Sequence, residues 1–125
     1  MKQIITTPNA PSSPGLYSQA TAHNGTLYVS GQLAIDPAAG AITTHTIEEQ
    51  THQVMKNLTA IIEAAGGTLA NALKCTVLLT DIANFKAMND VYKTYFPQDP
   101  PARICYQVTA LPLGAIVEID AICAL

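Results

Sequence analysis

Residues 100–125 read PPARICYQVTALPLGAIVEIDAICAL, and the layout of this stretch decides the fold. Two apolar runs, 104–110 and 115–124, flank the turn-forming Leu111-Pro112-Leu113-Gly114. Both are rich in Ile, Val, Tyr and Cys, which predicts a core β-hairpin. Two charges stand out against this background. Arg103 enters the first run straight after Pro100, Pro101 and Ala102, and Glu118 sits in the second between Val117 and Ile119. A carboxylate in an apolar strand is costly to bury unless it is paired, hydrogen-bonded or held in a wet cleft. Arg103 and Glu118 are therefore the first candidates for chemistry. A turn centred between Ala110 and Leu113 puts Glu118 opposite Cys105, on the face of Arg103. A slip of one residue turns it to the other face, and the residues alone leave that register open.

Working back from this stretch, Phe85, Met88, Tyr92 and Tyr95 share one face of a helix predicted over roughly 84–96, with Asp81 or Asn84 as its cap and Pro97 as its end. Lys74 to Thr80 (KCTVLLT) reads as a buried strand. Before it lies the clearest helix. Thr46-Ile47-Glu48-Glu49 has capping-box form, and Ile47, Val54, Leu58, Ile61, Ile62 and Ala65 follow at helical spacing up to the stop at Gly66-Gly67. Asp36 to Gly40 is a turn. Asn24-Gly25 signals a type I′ hairpin between 18–23 and 26–33. Gly31 inside the second of those strands implies a bulge or a close approach by another backbone or a ligand. Residues 2–6 suit a short first strand, followed by an irregular loop through Pro8, Pro11 and Pro14. The strand–helix–strand unit requires a crossover, so the sheet is expected to be mixed with both helices on one face. The other face would stay apolar and uncovered until copies of the chain buried it.

Composition agrees. A chain of 125 residues suits a single domain spanning 1–125. Only 12% of residues are charged, about half the usual share, against 49% hydrophobic. Too few charges for the surface points to a homo-oligomer. A net charge of −3 with 6 Lys+Arg argues against a nucleic-acid binder. No run of about 18 apolar residues predicts a membrane span, and residues 1–15 do not resemble a signal peptide. Cys75, Cys105 and Cys123 are odd in number and make no CxxC, which fits a reducing cytoplasm. His23, His45 and His52 show no metal-ligand spacing.

Five segments then stand in a familiar order: Tyr17-Ser18-Gln19-Ala20, Tyr28-Val29-Ser30-Gly31-Gln32, Asn89-Asp90-Val91-Tyr92, Pro101-Ala102-Arg103 and Gly114-Ala115-Ile116-Val117-Glu118-Ile119. Their spacing closely resembles the RidA family, also called YjgF, over nearly the whole chain. The resemblance implies an α+β, chorismate-mutase-like fold and a homotrimeric barrel with sheets inside, helices outside and ligand clefts between subunits. It also implies hydrolysis of reactive enamines and imines, such as 2-aminoacrylate, 2-iminopropanoate and 2-iminobutanoate, to 2-oxo acids and ammonia, with no metal or organic cofactor. Members without this activity typically lack the arginine, which this chain retains.

For Arg103 alone, an anchoring and a structural role stand level; within the Pro101-Ala102-Arg103 motif the anchoring role wins, because guanidinium matches a planar carboxylate bidentately. Glu118 suits the delivery of water to the C=N carbon and the passage of a proton to nitrogen; its other reading is a rim or salt-bridge Glu. The resemblance favours Glu118 on the face of Arg103. Cys105 has no His nearby in sequence to activate it, and the resemblance implies that its backbone meets the ligand. Tyr17 and Asn89 resemble cleft residues, against interface packing and a helix-surface amide. Gly31 lets its backbone approach a ligand, and Ser30 lines the wall. Leu16 departs from the family, many of whose members have Pro there. Rival readings are a regulatory trimer that binds small carboxylates without turnover, a nuclease, which the acidic balance disfavours, and a chorismate mutase, whose dicarboxylate would need more cations than Arg103 supplies.

Overall fold

Thr46 starts the longest helix as expected. In the computed structural model, which describes all 125 residues, its hydroxyl accepts the Glu49 amide at 3.1 Å. Glu49 returns the contact to the Thr46 hydroxyl at 3.0 Å, not to the cap amide. Helix α1 runs Ile47–Ala64. It stops where Gly66 takes φ 91°, with Gly66 N–H donating to Glu63 O and Gly67 N–H to Ile62 O, a Schellman closure that a Cβ at Gly66 would strain. Val54, Met55, Leu58, Ile61 and Ile62 are fully buried, each contributing about 1.5–3 kcal/mol of apolar burial.

That stripe packs on one face of a six-stranded sheet. The strands are β1 (Gln3–Ile5), β2 (Ala20–His23), β3 (Thr26–Gln32), β6 (Ala72–Leu79), β7 (Ala102–Gln107) and β8 (Val117–Ala124), in the spatial order β1-β2-β3-β8-β6-β7. A small separate ribbon, β4 (Ile35–Asp36) with β5 (Ala41–Ile42), spans the turn at 37–40. Only β6 and β7 are parallel, so the sheet is mixed as predicted. Asn24 and Gly25 both hold positive φ, 51° and 76°, as a type I′ turn requires. The second helix is shorter than predicted. Asp81 caps a 3-10 turn at 82–84, α2 covers Phe85–Tyr92, and a further 3-10 turn follows at 93–95. Both helices lie on the face formed by Val29, Val77, Leu79, Val117, Ile119, Ala121 and Cys123.

The hairpin predicted over 104–124 does not form. Strand β6 lies between the two runs, with β7 parallel on one side and β8 antiparallel on the other. Apolar composition marks a strand but not its partner. Here the crossover through α2 brings β7 beside β6, and β8 takes the remaining edge of β6. The registers Arg103↔Cys75 and Cys105↔Val77 set both residues on the helix-covered face. Glu118 pairs with Leu78 between the buried Val117 and Ile119, so it emerges on the opposite face. Within one chain, Arg103 and Glu118 therefore do not share a face, contrary to expectation.

The face away from the helices is open. Ile4, Tyr28, Ile104 and Tyr106 are about half exposed on it, beside Leu78 and Ile122.

Candidate active site

The sheet divides the predicted residues into two half-sites. On the open face Glu118 meets β3 at a bulge, where Ser30 and Gly31 together oppose Asp120. The bulge expected at Gly31 is present, and the group that comes close to it is a side chain rather than another backbone. A Cβ there would lie 3.1 Å from the Glu118 Cδ and Oε1 atoms, so the missing side chain makes room for the carboxylate. Tyr17, Ser30, Gly31 and Glu118 line one hollow of about 390 Å³ with Pro112 and Leu113. Leu113 sits in a left-handed conformation, φ 60° and ψ 22°, at the rim. Ser30 is spoken for: its hydroxyl donates to Ser18 O at 2.6 Å, and its amide to Gln19 O at 2.9 Å. Glu118 has no cation within salt-bridge reach in the chain. Burial and, secondarily, the nearby Asp120 carboxylate push its carboxyl above the usual range.

On the helix face, Arg103 lies over α2. Its Nη1 donates to Asn89 Oδ1 at 2.7 Å and touches Met88 Sδ at 4.0 Å. Its guanidinium carbon stands 4.8 Å from the centre of the Tyr92 ring and 5.6 Å from that of Phe85. No carboxylate reaches it, and the only ion pairs in the chain are Lys86–Asp90 and Lys93–Asp90 on the helix surface. Asn89, Tyr92, Lys93, Phe96, Pro100, Pro101 and Arg103 line a second hollow of about 350 Å³. Asn89 is thus a partner of Arg103 in the first place. Cys105 faces the same way as Arg103. Burial raises its thiol, with Arg103 partly opposing, and it likewise raises Cys75 and Cys123. Near neutral pH all three remain thiols, which are poor nucleophiles.

Several buried amides that hold these walls were not singled out from sequence. Gln19 accepts the Thr7 amide and donates to the Thr7, Ala10 and Pro11 carbonyls, pinning the loop that borders Tyr17. Asn57 donates to the Leu33 and Ile35 carbonyls, and Gln50 accepts the Ile116 amide two residues before Glu118. The signal was present: Gln50 and Asn57 fall on the apolar stripe of α1, where a polar side chain must find partners. No group of His, Cys, Asp and Glu in the chain is arranged to hold a metal ion.

The geometry can be set beside known proteins. A goat protein named 2-iminobutanoate/2-iminopropanoate deaminase is 48% identical over 122 residues, 98% of this chain and 89% of its own length. A solved Rid-family protein of Yersinia pestis, YyfA, superposes with TM-score 0.97 at 45% identity, covering 100% of both chains. Escherichia coli TdcF, solved with bound serine, superposes with TM-score 0.93 at 34% identity, covering 98% of each chain. The family model described as Endoribonuclease L-PSP matches residues 7–125. The chain belongs to that family, the Rid or YjgF family.

Proposed function

We propose that this protein hydrolyses small 2-imino acids, of the 2-iminopropanoate and 2-iminobutanoate class, to the 2-oxo acid and ammonia. The observation that carries the proposal is Arg103, the only arginine in the chain, half-buried against two rings and an amide with no carboxylate of its own. A guanidinium left this way is an anchor for an incoming planar carboxylate. The names of the relatives support the same reaction class.

The half-sites lie on opposite faces of one sheet, so the complete site requires two copies. A homotrimer that buries Ile104, Tyr106 and Tyr28 can set the free edge of β7, the strand that carries Arg103, against the Glu118 hollow of another copy, so that Arg103 reaches it around the sheet edge. In that cleft the carboxylate of the imino acid sits on the guanidinium, and the Glu118 carboxylate takes a proton from the attacking water. The water oxygen bonds to the imine carbon while the C=N π pair moves to nitrogen, which takes the proton from Glu118. The carbinolamine hydroxyl then gives its proton by way of Glu118 to nitrogen as C=O forms and the C–N bond breaks, releasing the 2-oxo acid and ammonia. Tyr17, Ser30 and Gly31 wall this cleft, and the Cys105 backbone approaches the ligand beside Arg103.

The test is an assay in which a pyridoxal-phosphate serine or threonine dehydratase generates the enamine, while semicarbazide competes for the imine. The expected outcome is suppression of semicarbazone formation. Failure over several precursors, together with saturable 2-oxo acid binding, would leave a carboxylate-binding regulatory trimer instead. A ribonuclease reading is disfavoured by a net charge of −3 with only 6 Lys+Arg in the chain. Lys86 and Lys93 are both engaged by Asp90, so no salt-dependent RNA binding is expected.

Two further outcomes follow. Co-expressing Arg103→Ala and Glu118→Gln chains should restore activity in mixed trimers, because some clefts then combine two intact half-sites. Activity no greater than the sum of the separate variants would place the site within one chain. Gly31→Ala should push the Glu118 carboxylate aside by a fraction of an ångström and lower kcat by about twofold to tenfold, less than the roughly hundredfold that a misplacement of about 1 Å can cost. Unchanged kcat in a trimeric variant would show that the fit of Glu118 against Gly31 does not matter.

A further inference from the structure

We infer that Tyr92 and Asn89 form an uncharged cradle that holds Arg103 in its binding pose and leaves its charge unspent for the ligand, which makes both of them positioning residues. The inference rests on the imine-deaminase reading and assigns how its anchor is built.

An arginine in a partly buried place is ordinarily held by a carboxylate, which fixes the fork but also neutralises it. Arg103 is fixed otherwise. The Tyr92 ring lies 4.8 Å beneath the guanidinium and is itself locked, 6% exposed and packed on Phe96 at 4.9 Å between ring centres. A ring face attracts a cation without carrying a compensating charge. Asn89 Oδ1 accepts from Nη1 at 2.7 Å and fixes the rotation of the fork with a neutral acceptor. Asp90, the adjacent carboxylate, is held outside by Lys86 at 2.9 Å and Lys93 at 3.7 Å. Sequence spacing contributes: Asn89 and Tyr92, three apart on α2, fall on the side that faces β7, while Lys86 and Asp90 pair on the exposed side. The Tyr92 hydroxyl adds nothing to this. It is buried beside the Cys75 thiol without a well-formed hydrogen bond, so the ring is the part that serves.

The test measures binding of 2-oxobutanoate, the stable product, by calorimetry, and KM and kcat in the semicarbazide assay. Tyr92→Leu should weaken 2-oxobutanoate binding and raise KM about tenfold while kcat changes less than threefold. Tyr92→Phe should restore both to within about twofold, with Tm unchanged or higher. A folded, trimeric Tyr92→Leu that binds as the wild type does, or a Tyr92→Phe that loses as much as Tyr92→Leu, overturns the inference. Should Tyr92→Leu fail to fold, Asn89→Asp decides. It places a carboxylate on Arg103, so binding should fall at least about tenfold without loss of Tm; unchanged binding overturns the cradle. If the wild type binds no 2-oxo acid, the deaminase reading fails by itself. The cradle is then judged by the Nε–Hε NMR resonance of Arg103, unique in the chain. A rigid signal in wild type and Tyr92→Phe that becomes mobile in Tyr92→Leu supports it, and an equally rigid signal in all three overturns it.

Discussion

Arg103→Ala should lower kcat/KM for 2-iminobutanoate by about two to three orders of magnitude, equivalent to about 3–4 kcal/mol of transition-state stabilisation. The size follows from what the residue touches. Its fork makes one hydrogen bond, to Asn89, and no ion pair within the chain, so its remaining donors are free for a carboxylate. Removing them takes away a charge-assisted, bidentate contact in a site shielded from water on the side of Tyr92 and Phe85. Most of the loss should fall on KM, because the substrate carboxylate does not change during C=N hydrolysis and is held equally in ground and transition states. Arg103→Lys should recover only part of it, since an ammonium is a point donor that cannot reproduce the fork. Tm should fall only modestly in either variant, because the Asn89 hydrogen bond and the stacking on Tyr92 are weakened or lost but no internal ion pair is broken. A drop in kcat/KM below fivefold, in protein that keeps the fold and assembly of the wild type, would remove Arg103 as the anchor.

The elements were legible in the sequence and their pairing was not. Thr46, the Ile47-to-Ala65 stripe and Gly66-Gly67 announced α1 because capping, helical spacing and a left-handed stop are local and agree with one another. Asn24-Gly25 announced its turn for the same reason. The hairpin over 104–124 failed because strand composition around Pro112 and Gly114 is identical whether the next strand returns beside the first or skips across β6; only non-local packing decides. The face of Glu118, which the residues left open and the resemblance set beside Arg103, turns on that same non-local pairing. Arg103 and Glu118 were visible as charges out of place in apolar strands, whereas Tyr17, Asn89 and Cys105 entered as cleft residues through the family resemblance. Tyr92 was legible only as part of an apolar helix face, because a ring that packs and a ring that carries an arginine have the same spacing. Gln50 and Asn57 could have been found as polar residues on the apolar stripe of α1, but their partners, like those of Gln19, are main-chain carbonyls and amides that no sequence pattern marks.

Glu118→Gln separates catalysis from binding and from stability, because the three should move in different directions. With the Glu118 carboxylate as the proposed base for water, kcat should fall by about two to four orders of magnitude, the range of general acid–base catalysis, while 2-oxobutanoate binding stays within about threefold. The pH profile carries the second signature. Burial, with Asp120 adding to it, raises the Glu118 carboxyl above 4.5, so wild-type kcat should fall as pH drops through that raised value, and this limb should vanish in Glu118→Gln. The linked effect on stability has the opposite sense. A carboxyl whose pKa is higher folded than unfolded binds its proton more tightly in the fold, so ionisation destabilises the folded chain. That cost grows as pH rises from the unfolded value through the folded one and is fully present above both. At pH 7 the wild type bears it and the glutamine variant does not, so Glu118→Gln should melt higher at pH 7. The advantage should shrink as pH falls toward 4.5. A variant that loses activity and also melts lower at neutral pH would mean that Glu118 supports the fold against Gly31. One that melts higher and stays active would mean that another group handles the water. Only higher Tm together with lower kcat and retained binding fits a carboxylate kept in the cleft, against its own solvation, for chemistry.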